Sequence, residues 1–259
     1  MQELSSTANP IIKEAAALLS SAGRKKAGKF IIEGARLCAD AAENGAEIET
    51  LFISSSAALR YSREFDILSS AAKRAYFISE AAAGKLSDTK NSQQIFAVCR
   101  KKERKFDLLS NGFYVLTENI QNPDNLGAVS RTAEALGADG MAVTGGCDIF
   151  SPKALRASMG ALLRFPVMRC ESAAEFIEMC KSRSVKVYCT SPDAGGTDIR
   201  SLNKCGGAAV VIGNEGAGVT PETAAESDGL IRIPMLGRAE SLNAAAAAAI
   251  TMWEFMKDR

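Results

Sequence analysis

The chain has 259 residues, 47% of them hydrophobic and 24% charged, enough to bury a core in one large or two modest domains. It contains no histidine, which excludes Ser-His-Asp hydrolysis, Cys-His proteolysis and histidine-ligated metal chemistry. The formal net charge of +1 hides an asymmetry, because residues 1–105 hold 17 Lys/Arg against 12 Asp/Glu and the remainder 14 against 18; a basic front half fits a polyanionic partner, and charge alone fits a solvated surface equally well.

The opening residues, MQELSSTANPIIKEAAALL, lack the pattern of a signal peptide, and no apolar run approaches the roughly 20 residues of a membrane span, so a soluble cytoplasmic protein is expected. Residues 10–20 are alanine-rich and helical in character, and a basic loop with Arg24, Lys25, Lys26 and Lys29 follows. A short alternation then begins. FIIEG reads as a strand, ARLCADAAENG as a helix closed by Gly45, TLFIS as a strand, REFDILSSAAKR as a helix, and AYFIS and QQIFAVCR as strands. The charged run RKKERK has the character of a linker and sets a domain boundary at Lys105, giving domains 1–105 and 106–259.

Beyond the boundary the alternation restarts. FYVLTEN, DGMAVTG, VKVYCTS, AAVVIGNEG and GLIRIP read as strands; DNLGAVSRTAEALG, PKALRASMG and SAAEFIEMCKSR read as helices; a last helix runs from about Ser241 to Met256. Such alternation predicts an α/β fold with a parallel sheet covered on both faces. Seven cysteines, Cys38, Cys99, Cys147, Cys170, Cys180, Cys189 and Cys205, are scattered without a C-x-x-C pair. They read as free thiols in or near the core, with neither a disulfide framework nor a metal site expected.

Three segments of the second half carry chemistry. In NPDNLGAVSRTAEALG, Asp124 or Asn125 can cap a helix whose apolar stripe is Leu126, Val129, Ala133 and Leu136. Gly127, Ser130, Arg131 and Glu134 share the other flank. A mid-helix glycine costs about 1 kcal/mol relative to alanine, so Gly127 suggests a close approach of backbone or ligand, and the Arg131 guanidinium one turn on can grip a phosphate or carboxylate. In AAVVIGNEGAGV an apolar strand empties into a loop with Gly213, Gly216 and Gly218, which exposes backbone N–H groups. It is neither the dinucleotide nor the P-loop fingerprint. In IRIPMLGRAESLNAAAAAAITMWEFM a strand meets Pro234, and a thin-walled alanine helix follows Ser241 and Asn243.

In this order, these segments resemble the SpoU (TrmH-type) branch of the SPOUT RNA methyltransferases. The resemblance rests on Asn125 with Gly127 and Arg131, on Gly213-Asn214-Glu215-Gly216, and on Ser241-Leu242-Asn243; it extends over residues 107–259 and departs in the all-alanine stretch after Asn243. Residues 30–100 are similar to the substrate-binding domain that many members carry, itself similar to small ribosomal RNA-binding proteins.

The resemblance implies a catalytic domain threaded into a trefoil knot, an exception to the usual unknotted topology. It implies S-adenosylmethionine as cofactor, its adenosine end against backbone near Thr190, Gly213, Ile233 and Leu242, with Asn214, Gly216 and Ser241 completing the site. It further implies a homodimer with the active site near the subunit interface, a structured RNA as partner, and methyl transfer to a ribose 2′-hydroxyl with Arg131, Asn125, Glu215 and Asn243 as the catalytic set. A guanidinium stays protonated and is a poor base. Arg131 is therefore expected to bind an RNA phosphate and stabilise the developing alkoxide, while that phosphate or water takes the proton and the other three hold Arg131 and the ribose in place.

Ribosomal RNA is the expected substrate, with transfer RNA and a resistance-type modification of the ribosome as alternatives. A non-enzymatic RNA-binding protein would leave the three motifs without purpose, and a nucleotide-binding oxidoreductase would need a glycine fingerprint at its first strand that is missing.

Overall fold

A computed structural model describes residues 1–102, 104–192, 195–202 and 206–258. The elements begin with β1 (Gln2–Leu4), α1 (Pro10–Ala17), α2 (Ser21–Ala27), β2 (Lys29–Glu33), α3 (Ala35–Glu43), β3 (Ile48–Ile53), α4 (Ser55–Arg60), α5 (Ser62–Ala71), β4 (Arg74–Ile78), α6 (Glu80–Leu86) and β5 (Ile95–Arg100). They continue with β6 (Phe113–Glu118), α7 (Pro123–Ala135), β7 (Gly140–Thr144), α8 (Pro152–Ala157), α9 (Ala161–Arg164), β8 (Val167–Arg169), α10 (Ala173–Ser182), β9 (Lys186–Thr190), β10 (Thr197–Asp198), β11 (Ala208–Ile212), α11 (Pro221–Glu226), β12 (Gly229–Arg232) and α12 (Ala244–Met256).

Two compact units divide the chain: Met1–Lys102 with Phe150–Arg164, and Glu103–Ile149 with Phe165–Arg259. The first is built on a sheet of order β1-β4-β3-β5-β2. It is mixed rather than parallel, since β5 runs antiparallel to both β3 and β2. Its core gathers Ile12, Phe52, Ile78, Leu86 and Phe96. The excursion Phe150–Arg164, which the sequence places with the second half, belongs here because its side chains find partners here. Phe150 lies 4.8 Å from Phe30, ring centre to ring centre. Arg156 donates to the Asp88 carboxylate through its two terminal guanidinium nitrogens, Nη1 and Nη2, and Arg164 pairs with Asp40 at 2.6 Å.

The expected basic loop is largely helix. Ser20 caps α2 by accepting from the Gly23 N–H, and Gly28 ends it in the left-handed region. This turns Arg24 inward, where its buried guanidinium donates to the carbonyls of Leu18 and Leu19. Arg24 therefore closes the end of α1 and leaves the candidate RNA-binding set. Lys29 is held by Glu49, whereas Lys25 and Lys26 are exposed.

The second unit carries a seven-stranded, wholly parallel sheet of order β10-β12-β9-β11-β6-β7-β8. Strands β6, β7 and β11 are buried along their entire length, as expected where helices cover both faces. The strand β11 enters between β6 and β9, so the loop following it is set at the centre of the sheet's carboxyl edge. Helix α12 packs on α7 and β11. The described cysteines are free, and five of the six are buried; burial raises Cys38 well above the usual thiol range and pushes Cys99 up to about 12. Cys205 lies outside the described residues. No helix is long and apolar enough to cross a membrane, and no three metal-ligating side chains gather, among the described residues.

Candidate active site

Three loops at the carboxyl edge of the parallel sheet converge. The first follows β6 into α7. The N-cap of α7 is Asn122, whose side chain accepts from the Asp124 N–H at 2.9 Å, and not Asp124 or Asn125 as the sequence suggested. The reason is Pro123, which suits the first helical position because its fixed φ matches and no N–H is wanted there. Asn125 is thereby freed to point its side chain off the helix. Leu126, Val129 and Ala133 are buried as expected, but so are Gly127 and Ser130, and the Ser130 hydroxyl donates to the Gly127 carbonyl.

The second loop follows β11. Asn214 folds it upon itself: its side-chain oxygen accepts from the N–H groups of Gly216 and Ala217, its side-chain amide donates to the Asn119 carbonyl, and its backbone pairs with Gly218 in both directions. Gly213 is obligatory in this fold, because a Cβ there would lie 2.2 Å from the backbone of Gly218 and Val219. The space beside the Gly213 main chain is therefore taken first of all by the protein's own backbone.

The third loop follows β12. Asn243 has extended backbone and caps α12, accepting from Ala245 and Ala246. The helix accordingly starts at Ala244, not at Ser241.

These loops are tied by one hydrogen-bonded chain. The Glu215 carboxylate accepts from the N–H groups of Gln121 and Asn122, each at 3.0 Å, and from the Asn125 side-chain amide at 2.9 Å. The Asn125 oxygen in turn accepts from the Asn243 amide at 3.1 Å. Partial burial raises the Glu215 pKa, but the Asn125 amide and the two N–H groups outweigh it and hold the carboxyl below its ordinary value. Arg131 does not join. It stands about 9 Å further along α7 at about 1.5 Å per residue, is exposed, and makes no hydrogen bond or ion pair among the described residues. Within one chain, Asn125, Glu215 and Asn243 thus form a connected set of which Arg131 is not a part.

Between the second and third loops lies a cleft of about 310 Å³ that all seven expected cofactor residues line: Thr190, Gly213, Asn214, Gly216, Ile233, Ser241 and Leu242. Sequence reasoning missed Ile199, Ile231 and Thr251, which also line it. The Thr190 hydroxyl is already engaged with the Val211 carbonyl at 2.9 Å. Thr251 Oγ1 is a buried polar atom with no hydrogen-bond partner among the described residues. A second cleft of about 330 Å³, at the ends of β6 and β7, is lined by Glu118, Glu171, Glu222 and Glu226 but by no large apolar side chain. An aromatic ligand would have nothing to lie on there.

The residues at both ends of the chain match family models: residues 112–253 match the SpoU rRNA methylase family, and residues 9–97 match an MRM3-like substrate binding domain. The chain belongs to the SpoU rRNA methylase family. It is 31% identical to the 23S rRNA (guanosine(2553)-2′-O)-methyltransferase RlmP of Bacillus subtilis over 98% of each chain. It is 28% identical to the 23S rRNA (uridine(2479)-2′-O)-methyltransferase of Streptomyces viridochromogenes, over 91% of this chain and 85% of that one. The crystal structure of the AdoMet-bound rRNA methyltransferase from Sinorhizobium meliloti superposes with a TM-score of 0.89 at 29% identity, covering 99% of this chain and 98% of the other. The SpoU methyltransferase AviRb from Streptomyces viridochromogenes, solved with AdoMet, gives 0.87 at 27% identity, covering 97% and 98%.

Proposed function

We propose that this SpoU-family chain transfers a methyl group from S-adenosylmethionine to a ribose 2′-hydroxyl of ribosomal RNA in the cytoplasm, with its cofactor in the 310 Å³ cleft. The observation that carries the reading is the single chain Glu215–Asn125–Asn243, which joins all three family motifs at the rim of that cleft. The cleft suits the cofactor chemically. Ile212, Ile231, Ile233 and Leu242 offer apolar walls for a purine, polar groups are few and placed, and the volume falls in the range of small-ligand sites. Bound there, S-adenosylmethionine supplies an electrophilic methyl group.

The protein's part is positioning. Glu215 fixes the start of α7 through two backbone N–H groups, and Asn125 and Asn243 lock the motifs in register, so a ribose hydroxyl can be held in line with the methyl. Arg131 binds an RNA phosphate and stabilises the developing alkoxide while that phosphate or water accepts the proton. Since Arg131 lines no part of its own chain's cleft, it acts at a homodimer interface. Exposed Ile250 and Trp253, one turn apart on α12, give that interface an apolar centre beside α7. The family's trefoil knot is expected in the second unit, around the cleft.

Incubating the protein with labelled S-adenosylmethionine and unmodified ribosomal RNA, then mapping the labelled ribose, tests the reading. Label at one ribose is expected; label on a base, or none, overturns it. Sedimentation of wild type and Trp253→Glu tests the interface, with a dimer expected to become a monomer.

A further inference from the structure

The C-terminal helix α12 is apolar on nearly every position of its sequence AAAAAAITMWEFM; its polar positions are Glu254, which pairs with Lys257, and Thr251. Thr251 is wholly buried, it lines the cleft, and its hydroxyl finds no partner among the described residues. A threonine inside a helix ordinarily satisfies its hydroxyl by donating to the carbonyl four residues back, as Thr132 does to Ala128 on α7. Thr251 does not. A buried hydroxyl without a partner destabilises the fold, whereas valine has the same shape and no such cost. The free chain therefore carries a penalty that a bound molecule can remove.

The neighbourhood says which part of the cofactor would do so. Helix α12 packs on β11 and on the turn Ile199–Ser201, and this end of the cleft presents Ile199, Ile212 and Ile231, all buried and apolar. The charged residues of the lining are Glu215, Arg232 and Glu240, none of them on α12. A flat, uncharged ring with heteroatoms at its edge suits the isoleucine end.

We infer that Thr251 is a cofactor-positioning residue whose hydroxyl hydrogen-bonds the heteroatom edge of the adenine ring, fixing how deep the nucleoside sits and so where the methyl is presented. The inference rests on the placement of the cofactor in this cleft. The hydroxyl can donate to a ring nitrogen or accept from the exocyclic amine, and one such bond corresponds to about five- to tenfold in affinity.

Thr251→Val separates this role from a structural one, because the two effects have opposite signs. Without cofactor the variant should melt at the same temperature as wild type or higher, having lost an unsatisfied buried group. Its affinity for S-adenosylhomocysteine, measured by calorimetry, should fall about five- to tenfold, and Thr251→Ser should restore most of it. Ala247→Leu, which puts a bulky side chain into the same cleft, serves as the control for the site itself. If Ala247→Leu binds as wild type, the cleft is not the cofactor site and the parent reading fails. If Ala247→Leu loses binding while Thr251→Val binds as wild type, the site stands and the role of Thr251 is overturned.

Discussion

Glu215 and Asn125, 90 positions apart in the chain, meet at 2.9 Å, and through this contact the loop after β11 is fastened to the start of α7. Glu215→Gln should break the arrangement, because an amide cannot accept from three donors with both of its heavy atoms. The group is exposed, so solvent screens it; a loss of about 1 kcal/mol or less at neutral pH is expected, or roughly 2–4 °C in Tm. The pH dependence has a definite sign. The folded carboxyl titrates below its ordinary value of 4.5, so its contribution is complete above the unfolded pKa and is lost as pH falls through the folded one. The Tm gap between wild type and variant should shrink on acidification below about pH 4.5. A gap constant down to pH 3 would remove the ionised carboxylate from the account.

Arg131→Ala should lower methyl transfer by about 10²- to 10³-fold, the range for losing one preorganised donor to developing negative charge. Because Arg131 is exposed and makes no bond or ion pair among the described residues, stability should change by less than about 0.5 kcal/mol. Cofactor affinity should also be unaltered. Stopped assays over a substrate range, beside calorimetry, check both halves; a raised Kd for S-adenosylmethionine with normal turnover would place Arg131 in the cofactor site instead.

The two glycines that bracket Asn214 and Glu215 behave differently. At Gly213 a Cβ would meet backbone at 2.2 Å, and at Gly216 it would lie 3.7 Å from Asn214 Oδ1, an ordinary contact. Gly213→Ala should therefore lower Tm before any cofactor is added, by several degrees, since the main chain of Gly218 and Val219 must move. Gly216→Ala should melt like wild type, and any loss of cofactor binding in it would report on the cleft alone. Equal Tm values for the two variants would contradict the geometry of this loop.

The parts of the site written in the sequence were those carried by local chemistry. An apolar strand ending in Gly213-Asn214-Glu215-Gly216 must turn sharply, and Asn125 and Asn243 each stand at the start of a helix, so their placement at the sheet's edge follows. The N-cap of α7 is equally legible in Asn122-Pro123, because a proline suits the first helical position and so marks the residue before it, ahead of Asp124 and Asn125, as the cap. What local pattern could not supply was partnership at long range. Nothing in residues 21–27 says that Arg24 turns back onto Leu18 and Leu19, and nothing in SPKALRASMGALLR says that Arg156 and Arg164 seek Asp88 and Asp40. The antiparallel direction of β5 is of the same kind, because alternation fixes which residues are strand but not the end of the sheet from which the strand enters. Thr251 had a signal, one hydroxyl in an apolar helix, whose meaning appears only once its lack of a partner is seen.

The basic stretch after α1 divides between structure and binding, and the division can be measured. Arg24→Ala removes the donors to the buried Leu18 carbonyl and to that of Leu19, which should cost about 1–3 kcal/mol of stability while leaving the electrostatics of RNA capture nearly as before. Lys25 and Lys26 are exposed; if they neutralise phosphates, replacing both by alanine should leave Tm unchanged. It should also reduce the log-log salt dependence of RNA affinity by about 1.4–1.8, since each phosphate contact adds about 0.7–0.9. The weakening should be similar for many RNAs, because phosphate contacts position without reading sequence. Filter binding across a salt series, paired with thermal melts, separates the three side chains. A double lysine variant with an unaltered slope would mean that this face of α2 is solvated surface, and the capture of RNA by the first unit would have to be sought elsewhere on it.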